Sequence, residues 1–189
     1  MENLRLFWAV NLPVDIKAKL VDLQRQLTKV RADVKWVEEE NFHLTVKFLG
    51  NVEPVKVPAI FEQVKKEVAG VGAISLEIQN LGVFPQQGMP RVLWVGLQGE
   101  KDKLIAMHNH VQKALITLGF APEGKPFSPH LTLGRIRSPR KTQKLLEEIT
   151  CLNNQNRVIG NVLVKTLDLM ESELTRQGPV YSILGSIKL

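Results

Sequence analysis

The amino-acid sequence predicts an α+β protein of two pseudo-symmetric lobes, each a mainly antiparallel sheet with helices on its outer face. Three observations lead there. Runs that alternate apolar and polar residues are interleaved with runs of helical spacing. The order of these runs is nearly the same in the two halves of the chain. One short pattern also occurs once in each half, as His43-Leu44-Thr45-Val46 and as His130-Leu131-Thr132-Leu133. Beyond that pattern the halves share little sequence, so the repeat is one of architecture. No low-complexity linker divides them. A single bilobal domain over 1–189 is expected, with approximate lobes 1–85 and 86–189 and room for terminal strands to exchange between lobes.

Residues 4–10 read as a strand that Leu12-Pro13 breaks. Ile16, Leu20, Leu23, Leu27 and Val30 then follow at steps of four and three, the stripe of an amphipathic helix. Residues 42–49 form the strand carrying the first motif, and Gly50-Asn51 ends it. Val57, Ile60, Phe61, Val64 and Val68 give a second helix with Pro58 near its start. Ile74, Leu76 and Ile78 alternate with polar residues as a half-buried strand. Gly82 to Pro90 reads as a loop, and Val92 to Leu97 as the next strand. Leu104, Met107, Val111, Leu115 and Leu118 make a third helix closed by Gly119. Residues 120–129 are loop-like, and the second motif strand follows at once. A short helix is expected over 141–149. Val162, Val164, Leu167 and Leu169 suggest a strand with a break between 164 and 167. Gly178-Pro179 turns the chain into a final strand near 180–188.

Composition narrows the function classes. At 189 residues and 44% hydrophobic content, the chain can build one sizeable core. Its net charge of +6 favours an anionic partner such as RNA or nucleotide phosphates. Cys151 is the only cysteine, which excludes an internal disulfide and a cysteine-based zinc cluster and suits a reducing cytoplasm. The opening run Arg5-Leu6-Phe7-Trp8-Ala9-Val10 reads as a strand, so no leader is expected, and no apolar stretch approaches the roughly 20 residues that span a bilayer.

The repeated motif carries the chemistry. Residues two apart on a strand share a face, so each copy offers an imidazole beside a hydroxyl. Eight of the residues are Thr, so finding Thr two after two of the four histidines has a chance on the order of 1%. Burying both pairs without a function would cost a few kcal/mol unless each polar atom found a partner. The pattern points to an enzyme acting on a phosphoester. His108 and His110 lie two apart on a predicted helix and point to different sides, so a structural role is expected and a metal site is not.

With these motifs the chain resembles the two-histidine phosphoesterase superfamily, and within it the RNA 2′,3′-cyclic phosphodiesterases, also called the bacterial and archaeal 2′-5′ RNA ligase family. The resemblance runs along nearly the whole chain: Arg5-Leu6-Phe7-Trp8-Ala9-Val10 with Leu12-Pro13, Trp36-Val37, Phe42-His43-Leu44-Thr45 into Phe48-Leu49-Gly50, Phe84-Pro85, Pro90-Arg91-Val92-Leu93-Trp94, Pro129-His130-Leu131-Thr132-Leu133-Gly134-Arg135, and Gly178-Pro179-Val180-Tyr181. It implies a bilobal fold with the motif strands side by side in a central cleft. It also implies hydrolysis of RNA 2′,3′-cyclic phosphate ends to 2′-phosphomonoesters with no metal and no organic cofactor, and reversible 2′-5′ ligation in some members.

Histidine suits both proton transfers that such a reaction needs, because its ordinary pKa of about 6.5 keeps both protonation states within reach near neutrality. The resemblance makes His43 the proton donor and His130 the base; the sequence alone does not order the two. Thr45 and Thr132 are expected to donate hydrogen bonds to the phosphoryl oxygens. Arg135 is the expected cationic contact to phosphate, although strict alternation points it away from His130 unless Gly134 breaks the strand or the side chain wraps around its end. The same alternation puts Lys47 on the His43 face, as a further candidate for substrate binding beside the plainer reading of an exposed lysine, and Phe48 on the opposite, core-facing one. Trp36, Phe84 and Tyr181 are candidates to stack a terminal base. The expected partners are RNA ends or nucleotides bearing a 2′,3′-cyclic phosphate, the expected state a monomer. A non-catalytic RNA-binding module using the same basic cleft is the competing reading.

Overall fold

The computed structural model describes residues 2–156, 158–176 and 178–189. Among them are nine strands and four α-helices. In chain order they run β1 (Leu4–Asn11), α1 (Val14–Thr28), β2 (Val34–Trp36), β3 (His43–Val52), α2 (Val57–Val68), β4 (Ile74–Phe84), β5 (Val92–Gly99), α3 (Lys101–Thr117), β6 (His130–Ile136), α4 (Thr142–Asn154), β7 (Gly160–Val164), β8 (Thr166–Leu174) and β9 (Pro179–Lys188). The strands form two antiparallel sheets, one in the order β3-β1-β8-β9 and the other β2-β6-β5-β4-β7. No helix among the described residues is long and apolar enough to cross a membrane.

The sheets do not follow the halves of the chain. β8 and β9 return from the C-terminal end to complete the first sheet, while β2 and β4 leave the first half to join the second. The two orders still correspond, with the motif strands β3 and β6 at matching places next to β1 and β5. The helices are shared in the same crossed way. α1 packs against β7 and α4, α4 against β4, and α2 against α3, which packs against β3. Trp8 of β1, fully buried, stacks on Phe61 of α2 at 6.0 Å. One continuous apolar cluster runs from Leu6 to Ile187 and ties both sheets and all four helices together.

Several elements differ from the sequence expectation. β2 is only three residues long, too short for a periodic signal, and it was not foreseen. β4 continues to Phe84, so the expected loop from Gly82 begins after that residue. Gly82 is used there because a Cβ would collide with the ring of Trp94. The break between Val164 and Leu167 is the junction of two separate strands, β7 and β8.

Each motif strand carries a β-bulge at the same motif position. On β3, Thr45 pairs with Ala9 and Lys47 with Trp8, so Val46 is left without a partner across the ladder. On β6, Thr132 pairs with Trp94 and Gly134 with Leu93, so Leu133 is left likewise. An extra residue reverses the alternation beyond it. Burial follows: from the histidine onward both strands read half-buried, buried, half-buried, buried, buried, exposed.

Candidate active site

β3 lies at the edge of its sheet, and its flank meets β6 where the two sheets come together. β2 pairs with β6 only over Gly134 to Ile136, which leaves the His130 end of that strand open towards β3. The result is a cleft of about 570 Å³ whose walls include His43, Thr45, His130, Thr132, Arg135 and Tyr181. The structure therefore brings the four motif residues, Arg135 and Tyr181 into one space. Trp36 also lines it, and Phe84 stands behind His130, edge-on to the imidazole at 5.2 Å.

The bulges correct two sequence expectations. Lys47 is turned to the face opposite His43 and is only 4% exposed. Its ammonium lies 3.3 Å from the Glu123 carboxylate and 3.5 Å from the Gln112 side-chain oxygen. It faces away from the cleft. Phe48, expected in the core, is 60% exposed and lines the cleft instead. The equivalent shift on β6 is what carries Arg135 onto the His130 face. The bulge there is held from outside the strand: the Leu133 carbonyl accepts hydrogen bonds of 2.9 Å from the Val37 N–H and from the Gln24 side chain, which also donates to the Val37 carbonyl.

The two imidazoles are held alike. Nδ1 of His43 is 2.8 Å from the Asn41 carbonyl, and Nδ1 of His130 is 2.7 Å from the Ser128 carbonyl. A carbonyl only accepts, so Nδ1 carries hydrogen in both rings and Nε2 is the atom that exchanges protons. On the first strand His43 Nε2 and Thr45 Oγ1 are 2.9 Å apart. The His43 ring rests on Phe7 at 5.0 Å and meets Tyr181 edge-on at 5.1 Å. Phe7, Ala9 and Met170 form a small apolar floor beneath it, with Tyr181 packed alongside.

Burial lowers the His43 pKa to about 4; the bond to Asn41 opposes that shift and the charge of Lys17 adds to it. Burial pushes the Tyr181 phenol up, against the pull of Arg135 and Arg5. His108 and His110 stay apart from the cleft. His108 stacks on Phe127 at 4.2 Å, and His110 lies 4.0 Å from Glu67.

The likeness to known proteins agrees with this geometry. The family description "LigT like Phosphoesterase" matches the chain twice, over residues 10–94 and 95–181. An RNA 2′,3′-cyclic phosphodiesterase of Methanothermobacter thermautotrophicus is 34% identical over 187 residues, covering 99% of this chain and all of the relative. One of Aeropyrum pernix is 34% identical over 173 residues, covering 90% and 94%. A crystal structure of a Thermus thermophilus protein superposes with a TM-score of 0.77 at 27% identity, covering 98% of this chain and 97% of that one. A motif strand in each half, the crossed pair of sheets and a full-length match at this level leave one assignment: the chain belongs to the LigT-like phosphoesterases.

Proposed function

We propose that this cleft opens RNA 2′,3′-cyclic phosphate ends to 2′-phosphomonoesters, with His43 and His130 as the two proton-transfer groups and no metal. The observation that carries this reading is the matched pair of imidazoles, each tethered through Nδ1 to the carbonyl two residues before it and facing one cleft. The relatives' activity on the same ester class supports it.

In the proposed reaction His130 Nε2 takes a proton from water as the water oxygen attacks phosphorus. The P–O3′ bond breaks, and His43 Nε2–H delivers a proton to the departing O3′. Both transfers are covered by imidazole, so no step calls for a Lewis acid. Thr132 and Thr45 donate to the non-bridging oxygens, where negative charge grows, and Arg135, two paired steps further along β6, supplies a cation to the phosphate chain beyond them. Ligation is the same chemistry with the 5′-hydroxyl of a second RNA in place of water, giving a 2′-5′ linkage and a free 3′-hydroxyl. The test is product analysis on an oligonucleotide ending in a 2′,3′-cyclic phosphate, in excess chelator. A 2′-phosphate end is expected. A 3′-phosphate end would mean that O2′ leaves, and loss of turnover in chelator would restore a metal to the mechanism.

A further inference from the structure

Lys35 of β2 and Arg135 of β6 are directly opposite each other across an antiparallel pair. Both are exposed, and both line the cleft. Like charges in that register repel and weaken the strand pairing. Among the described residues, no carboxylate lies within ion-pair distance of either side chain. Glu38 and Glu40 line the cleft as well, without pairing to these cations. A lysine on an edge strand also deters pairing with another chain. That purpose requires neither a cationic neighbour nor a place in the cleft wall.

Position supplies the second half of the argument. With Leu133 bulged out, Arg135 follows Thr132 by two paired steps of the strand, about 7 Å. The cation pair therefore sits one short chain unit beyond the groups assigned to the reacting phosphorus. In RNA, the group at that remove from a cyclic phosphate is the phosphate on O5′ of the same ribose. Two cations on one face make a fork for such an anion.

We propose that Lys35 and Arg135 form a subsite for the 5′-phosphate of the nucleotide that carries the cyclic phosphate, which makes an RNA chain end, rather than a free nucleoside cyclic phosphate, the substrate of this cleft. The proposal rests on the reading of the cleft given above. Cytidine 2′,3′-cyclic phosphate and the same compound carrying a 5′-phosphate separate the two. The 5′-phosphorylated compound is expected to have a kcat/KM about tenfold higher at low salt, with the advantage shrinking as salt rises. Lys35→Gln, an exposed change on a short edge strand, is expected to remove most of that advantage and leave turnover of the unphosphorylated compound within about twofold. Equal kcat/KM values for the wild-type enzyme would overturn the subsite while leaving the activity in place. So would an advantage that survives Lys35→Gln. A wild-type enzyme that opens neither compound overturns the activity and the subsite together.

Discussion

His43 shows how one local bond sets the chemistry of a side chain. Because Nδ1–H is committed to the Asn41 carbonyl, the neutral ring accepts at Nε2, where Thr45 Oγ1 lies 2.9 Å away. While the ring is neutral, the Thr45 hydroxyl donates to it and is not free for phosphate. Once Nε2 is protonated, the hydroxyl is released to donate to a phosphoryl oxygen. The proton on His43 and the hydrogen bond from Thr45 thus arrive together. With a pKa of about 4 the free cleft holds His43 neutral, so the proposed donor must be charged by the substrate itself. A phosphodiester anion about 4 Å from the ring contributes about 4 kcal/mol at an effective dielectric constant near 20, on the order of three pKa units. Titration of the His43 ring resonances by NMR should show a pKa near 4 in the free protein and well above it with inorganic phosphate bound; a value still near 4 would transfer the donor role to His130. The same residue leaves a mark on stability. Above about pH 6.5 the ring is neutral folded and unfolded and has no effect. As pH falls from there towards 4, the unfolded chain takes up a proton that the folded one refuses, and stability drops by at most about 3 kcal/mol before levelling off. Urea unfolding of His43→Ala should lack that part of the acid-side loss; identical pH dependence in both proteins would contradict the burial account.

At the scale of the strand, the two bulges decide what the cleft contains. Alternation reads His43 with Thr45 and His130 with Thr132 correctly, and it fails one residue later on both strands for the same reason. Gly134 is a local sign of an irregular strand, since Gly inside a strand often marks a bulge. Nothing comparable marks Val46-Lys47. The internal repeat was the usable signal, because transferring the break from the second motif to the first would have turned Phe48 into the cleft and Lys47 out of it. The support for the second bulge comes from α1, far away in sequence, and no motif announces Gln24. Gln24→Leu should cost about 1–2 kcal/mol, because it leaves the Val37 carbonyl unmet and the Leu133 carbonyl with the Val37 N–H alone. It should also lower kcat/KM by loosening Arg135, although Gln24 does not line the cleft. Unaltered turnover would show that the bulge holds without it. Lys47→Met offers the complementary case. It replaces a buried ammonium by an apolar chain of similar length but leaves the half-exposed Glu123 carboxylate without its cation, so stability should fall by about 1–3 kcal/mol with activity retained. A large loss of activity in a folded Lys47→Met protein would put the lysine back into substrate binding.

On the scale of the molecule, the cleft exists because neither half closes on itself. Apart from β2 and the division of β7 from β8, the order of strands and helices was legible from periodicity, and so was the twofold character. Membership of the sheets was not. The alternation of Ile74, Leu76 and Ile78 shows a strand but not its partners, and β4 pairs with β5 and β7 rather than within its own half. β8 and β9 likewise finish the sheet that β1 and β3 begin. With strands, helices and one apolar cluster shared in this way, the chain should unfold in a single cooperative transition, and a fragment ending near residue 85 should not fold alone. Two separated transitions, or a folded fragment by circular dichroism, would contradict that. The central claim is that one imidazole from each half acts on a shared phosphorus. The most direct measurement is turnover of a 2′,3′-cyclic-phosphate-ended oligonucleotide, in chelator, by His43→Ala, His130→Ala and the double variant. Each single change is predicted to lower kcat by roughly 10²–10⁴-fold, with the double variant little worse than the poorer single one because the two groups act as a unit. A folded double variant that keeps wild-type turnover would contradict the account.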